Sequence, residues 1–215
     1  MMMDDQRDLT ISKNRLEALV DGIFAFAMTL LVTGLVIPHF SKTEAEAKLA
    51  VSIAGMQSEF ISFLVAFFVL ASFWRMHNRQ FHYVRRVDSG IMRITLFILA
   101  CVVLMPFTTN ISGDYSDVRV AVGLFHINMF SLGLCFLIHW RHLTRNPDIT
   151  SVAISSRDAS KGMYRSLITP GISVLGFVFS FVSPPWSMAT YLLIIPCVAI
   201  IRRCSRKDNR SSEPA

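Results

Sequence analysis

The chain has 215 residues, of which 53% are hydrophobic and only 17% charged, with a net charge of +6 and a mean hydropathy of +0.48. That composition excludes an ordinary soluble domain, and the length excludes several domains. The positive charge matches the loop asymmetry of membrane proteins and their attraction to anionic lipid, so no nucleic-acid partner is expected.

A helix needs about 20 apolar residues to cross the hydrocarbon core. Such runs recur at 15–38, 55–76, 90–110, 118–140, 164–183 and 186–201. The expected fold is therefore an all-α integral membrane protein with six transmembrane helices in one domain over 15–203. It lies between an N-terminal arm, 1–14, and a polar, Ser-rich tail, 204–215. The arm has no apolar h-region, so no cleavable signal peptide is expected.

The first run, RLEALVDGIFAFAMTLLVTGLVIP, mixes apolar residues with Arg15, Glu17, Asp21, Thr29 and Thr33. At 100° per residue, Phe26, Leu30, Thr33 and Ile37 fall in a sector of roughly 60°, with Thr29 at its edge. Gly22, Leu19 and Arg15 extend the stripe toward the N-terminus. Lipid gives no reason to keep hydroxyls and glycines in a span, so something other than lipid should face this helix. Asp21 lies about 120° round from Arg15, so each needs a partner on another helix.

After Pro38, Ser41 to Lys48 reads as a short extramembrane helix or loop. The second span runs into a cationic aromatic stretch from Trp74 to Tyr83, which includes His77 and projects beyond the bilayer. Pro106 interrupts the third span, where it should kink the helix and free a carbonyl. The fourth holds His126 and His139, about 220° apart round the helix, so they do not converge on one ligand. The loop from Leu143 to Gly162 turns at Asn146-Pro147-Asp148, and the fifth span has a weak point at Pro170-Gly171. Ser183 to Ser187 is short enough to force a tight hairpin into the sixth.

Eighteen of the 21 Lys and Arg residues fall on the side that holds both termini, against Lys42, Lys48 and Arg119 opposite. Both termini should therefore be cytoplasmic, in a multi-pass protein of the cell membrane. Cys101, Cys135, Cys197 and Cys204 match no zinc or redox spacing: three read as packing residues and Cys204 as a cytoplasmic thiol. No catalytic residue, metal site or cofactor is indicated.

Each polar residue has a plain alternative. Arg15 can snorkel, and Asp21 is favoured by the positive end of a helix dipole. Trp74 suits an interfacial belt, His77 a solvated cationic stretch. The stripe could simply be a packing seam. An intramembrane Asp is also a functional-site candidate, so a proton-coupled transporter or a proton-conducting channel using Asp21 stands as an alternative. A haem or metal enzyme would have to use His77, His126 and His139. No repeat relates the two halves, which is unlike an inverted-repeat transporter.

The sequence Arg15-x-x-x-Leu19-Val20-Asp21, followed by Gly22-Ile23-Phe24-Ala25-Phe26, resembles the R-x-x-x-F-S-D signature of the endosomal and lysosomal potassium channel family, in its bacterial branch. Phe73-Trp74-x-x-His77 and Leu104-Met105-Pro106-Phe107 support the resemblance. It implies a homotetramer embedded in lipid, with the first helices lining a pore for potassium and possibly other monovalent cations. There is no TVGYG filter loop. The implied constriction is Phe26, with further pore positions at Thr29, Leu30 and Thr33, while Arg15, Asp21, Trp74 and His77 form an inter-helix network. The chain departs from the family pattern twice: Leu19-Val20 replaces Phe-Ser, and Phe26 stands where Ile or Leu is common.

Overall fold

The computed structural model describes residues 12–194 and 197, and within them regular structure is entirely helical. Five helices are long and apolar enough to cross a membrane: Lys13–Gly34, Gln57–Phe81, Ser89–Asp114, Arg119–Arg145 and Ser156–Phe179. The sixth run begins with a short helix, Pro184–Ser187, and a 3-10 segment, Met188–Leu193; most of the run beyond Ile194 lies outside the described residues.

The first helix, α1 (Lys13–Leu30), is shorter than its hydropathy suggests. The backbone tightens into a 3-10 turn over Leu31–Gly34 and then leaves helical geometry at Leu35. Two local causes are visible. A side chain at Gly34 would collide with the Asn110 amide, so glycine is needed for this close approach. Pro38 then disfavours the helical region for the residue before it. The single helix expected from Arg15 to Pro38 is thus corrected to a helix, a turn and an extended exit that includes Ile37.

Helix α2 (Lys42–Gly55) is outside the core, with no buried residue. Its start is a capping box: Ser41 Oγ accepts from the Glu44 N–H, and the Glu44 carboxylate accepts from the Ser41 N–H. Lys48 closes a 3.0 Å ion pair on Glu44, which holds that carboxyl below its usual range, with Ser41 adding to the effect. The expected short helix at Ser41–Lys48 therefore runs a further two turns.

Helices α3 (Gln57–Phe81) and α4 (Ser89–Asp114) come next in the chain, and α4 continues through Pro106 for two more turns. Pro106 withholds the N–H that would reach Val102 O, while Asn128 of α5 donates to the neighbouring Cys101 O at 3.1 Å. Helix α5 (Arg119–Arg145) is the most buried span, packed between α4 and α6 (Ser156–Phe179). Gly133 of α5 lets the ring of Pro170 seat against it, and α6 passes through Pro170-Gly171 without a break. Ser155 caps α6, which starts two turns before the expected span because those polar turns stand outside the apolar layer.

The apolar interior divides in two. One cluster fills the membrane region between α1, α3, α4, α5 and α6. The second joins Leu16, Phe81, Ile91, Trp140, Leu143 and Ile149 at the end that holds the N-terminus of α1. There the α3–α4 and α5–α6 connections clamp together: the Arg85 N–H donates to Ile149 O, and the Ser151 N–H to Tyr83 O, both at 2.8 Å.

Candidate pore-lining helix

The two faces of α1 differ sharply. Leu16, Val20, Phe24, Ala27 and Leu31 are buried against α3 and α4, which seats the helix on the subunit. The opposite face carries the predicted stripe, and the described residues leave most of it open. Phe26 is 64% exposed, Leu30 half-buried, Thr29 and Thr33 exposed, and Ile37 is 39% exposed.

Thr29 Oγ1 donates to Phe26 O and Thr33 Oγ1 to Leu30 O, each at 2.7 Å. This back-bonding occupies the hydroxyl hydrogen and leaves the oxygen lone pairs as acceptors, the half of the group a cation can use. The 3-10 turn sharpens the alignment, since residues three apart eclipse and Thr33 falls in line with Leu30. Ile37 lies past the turn, so the helical periodicity that placed it on the stripe does not reach it.

Of the four residues expected to tie α1 to its neighbours, two meet directly. Trp74 Nε1 of α3 donates to Asp21 Oδ1 at 2.8 Å, which gives the carboxylate its partner on another helix. The Arg15 side chain is exposed, with no hydrogen bond or ion pair among the described residues. His77 is not solvated: it is buried, its ring stacks on Phe81 at 4.2 Å, and neither ring nitrogen has a partner. The network is therefore an Asp21–Trp74 bond with His77 packed one helical turn beyond it. Leu19 is exposed and Val20 buried, so the two departures from the R-x-x-x-F-S-D pattern fall on opposite faces.

The remaining histidines are fixed elsewhere. His126 Nε2 lies 3.0 Å from Ser187 Oγ and its Nδ1 2.9 Å from the Tyr191 hydroxyl, so both ring nitrogens have hydroxyl partners. The Gln80 amide donates to Phe136 O, leaving its oxygen to accept from His139 Nδ1 at 2.7 Å. Among the described residues no three His, Cys, Asp or Glu side chains converge as a metal site. These bonded pairs are not legible in the sequence: Gln80 and Tyr191 lie 59 and 65 residues from their histidines.

An all-helical, multi-pass membrane protein with an open face on its first helix is the class this geometry defines. Residues 15–106 match the sequence model of the family described as endosomal/lysosomal potassium channel TMEM175. A potassium channel of Streptomyces collinus is 28% identical over 184 residues, covering 84% of this chain and 88% of its own. The endosomal/lysosomal proton channel TMEM175 of Mus musculus is 24% identical, covering 88% of this chain and 38% of its own. In structure, the chain is similar to the lysosomal potassium-selective channel TMEM175 homolog from Chamaesiphon minutus, with a TM-score of 0.75 and 24% identity, covering 88% of this chain and 97% of that one.

Proposed function

We propose that the protein is a potassium-permeable cation channel that conducts passively through a homotetrameric pore lined by α1. The observation that carries this reading is the uncovered stripe on α1, with its apolar ring position at Phe26 and hydroxyl acceptors at Thr29 and Thr33. Four copies round one axis would bury that stripe against itself. Hydrophobic constrictions gate ions by dewetting, and hydroxyl oxygens partly replace the hydration shell.

In this reading Phe26 is the gate, Leu30 a second constriction, and Thr29, Thr33 and Ile37 complete the lining. Asp21 and Trp74 hold α1 on its subunit at the cytoplasmic mouth, with His77 packed behind them. Arg15 stands at the same level, where a neighbouring subunit can supply its partner. Both termini are cytoplasmic, in keeping with the Lys and Arg distribution.

Ion flux from reconstituted liposomes under a potassium gradient tests the proposal. Flux above that of empty liposomes is expected from a tetramer verified by mass; its absence would overturn the reading. Replacing potassium by an impermeant cation while following internal pH separates it from proton conduction through Asp21: persistent acidification would favour the proton reading.

A further inference from the structure

A furrow runs between α3 and α6 on the side away from α1. These two helices make hardly any direct contact; α5 forms the floor beneath them, and the 3-10 segment Met188–Leu193 packs against both, with Ile194 in the wall. Two adjoining crevices open along it, with about 650 and 600 Å³ of open space, and they share Met76, Arg79 and Arg165. On α3 the furrow face lies about 160° round from Trp74, which points at α1. The furrow therefore plays no part in the α1 site.

Its two ends differ in chemistry. Toward the membrane centre the walls are Val69, Phe73 and Ile168. Toward the end that holds the N-terminus of α1 they are Arg75, Arg79, Lys161 and Arg165. Asp158 is the single acid among the lining residues, and its carboxylate already accepts from Ser155 at 2.8 Å. Arg165 Nε is buried without a hydrogen-bond partner, and Arg75, Lys161 and Arg165 form no ion pair among the described residues. A buried guanidinium N–H left unpaired costs free energy unless an acceptor is supplied.

We infer that this furrow binds an anionic phospholipid, the phosphate headgroup held by Arg165, Lys161, Arg75 and Arg79 and an acyl chain lying along Val69, Phe73 and Ile168. Guanidinium forks suit phosphate oxygens, and basic pockets between spans on the cytoplasmic side are the sites expected to hold such headgroups. The C-terminal tail is a poor occupant because it carries Arg202, Arg203, Arg206, Lys207 and Arg210, charges of the same sign as the furrow. The floor is a polar connection: Gln80 Nε2 donates to Ser166 Oγ at 3.4 Å, and the same amide holds His139.

The full-length protein in neutral detergent is offered equal amounts of phosphatidylglycerol and phosphatidylcholine, and retained lipid is counted by native mass spectrometry. Phosphatidylglycerol should be retained about tenfold over phosphatidylcholine, and Arg165→Gln or Lys161→Gln should each lower its retention about fivefold. Arg86→Gln, which removes a cation at the same end outside the furrow, should leave retention unchanged. Equal retention of the two lipids by the wild-type protein overturns the inference whatever the variants do. So does an equal loss in all three variants, which would mean diffuse charge attraction. Release of the lipid by millimolar inorganic phosphate, but not by chloride of matched ionic strength, would assign the site to free phosphate instead.

Discussion

Helices α1 and α5 are both apolar spans studded with polar residues, yet the fold treats them in opposite ways. In α5 the polar side chains His126, Asn128 and His139 are buried, and each is bonded to another element of the same subunit. In α1 the hydroxyls and the aromatic of the stripe face outward, and among the described residues only the Asp21 side chain bonds to another element. A polar residue in a span thus says little until its partner is known. Satisfied inside the subunit it is architecture; left open along a stripe it is available to the assembly and the permeant species proposed above.

The largest expected effect bears on the architectural side of that contrast. His126→Phe leaves the buried Tyr191 and Ser187 hydroxyls without their ring partner, which should destabilise the subunit by about 2–3 kcal/mol. Chemical unfolding in detergent measures it. A neutral result would mean that α5 is not held as its geometry indicates. Flux per folded tetramer should be unchanged, because His126 lies away from the stripe.

The mirror experiment is Phe26→Ala. Removing the benzyl ring from the gate should raise potassium flux about tenfold, which corresponds to a barrier lowered by about 1.4 kcal/mol. Folding should be almost unaffected, since the ring is 64% exposed in the subunit. Unchanged flux removes Phe26 from the role and would move the constriction to Leu30. Together the two variants separate stability from conduction, which is the substance of the comparison.

How far the sequence can be read divides in the same way. The helical class rests on the length of the apolar runs and the outward face of α1 on short-range periodicity, and both survive in a single sequence. The end of α1 at Leu30 does not show, because the run stays apolar to Pro38 while the backbone is governed by Gly34 meeting Asn110, 76 residues away. Proximity to Arg75 and Arg79 in the sequence suggests a solvated His77, yet the helix turns it inward onto Phe81 and Phe136. Neighbours in sequence do not share a face. The furrow between α3 and α6 lies between helices that make hardly any direct contact, which no local pattern in the sequence reveals.

A smaller change sharpens the one point where α1 is tied down. Trp74→Phe keeps the ring and loses only the N–H that reaches Asp21, so the link between α1 and α3 should weaken by about 1 kcal/mol. Hydrogen exchange over the first turns of α1 reads this locally: protection should fall there and remain unchanged in α5. An equal fall in both would mean that the bond supports the whole subunit and not the seating of the pore helix.

The smallest effect lies at the end of the molecule that both helices share, where Asp88 caps α4. Burial tends to raise the Asp88 carboxyl, but the Ile91 N–H at 2.7 Å and His142 at 2.8 Å outweigh it and hold the group below its ordinary value of 3.8. A depressed carboxyl contributes stability above the unfolded value and loses it as pH falls through the folded one. Asp88→Asn should therefore cost under about 1 kcal/mol at neutral pH, because the pair is partly solvated. The gap between variant and wild type should close as the solution is acidified below pH 3.8. A gap that persisted through that range would show that the loss comes from packing at the start of α4, since only the charged form of the carboxyl carries the pH-dependent part.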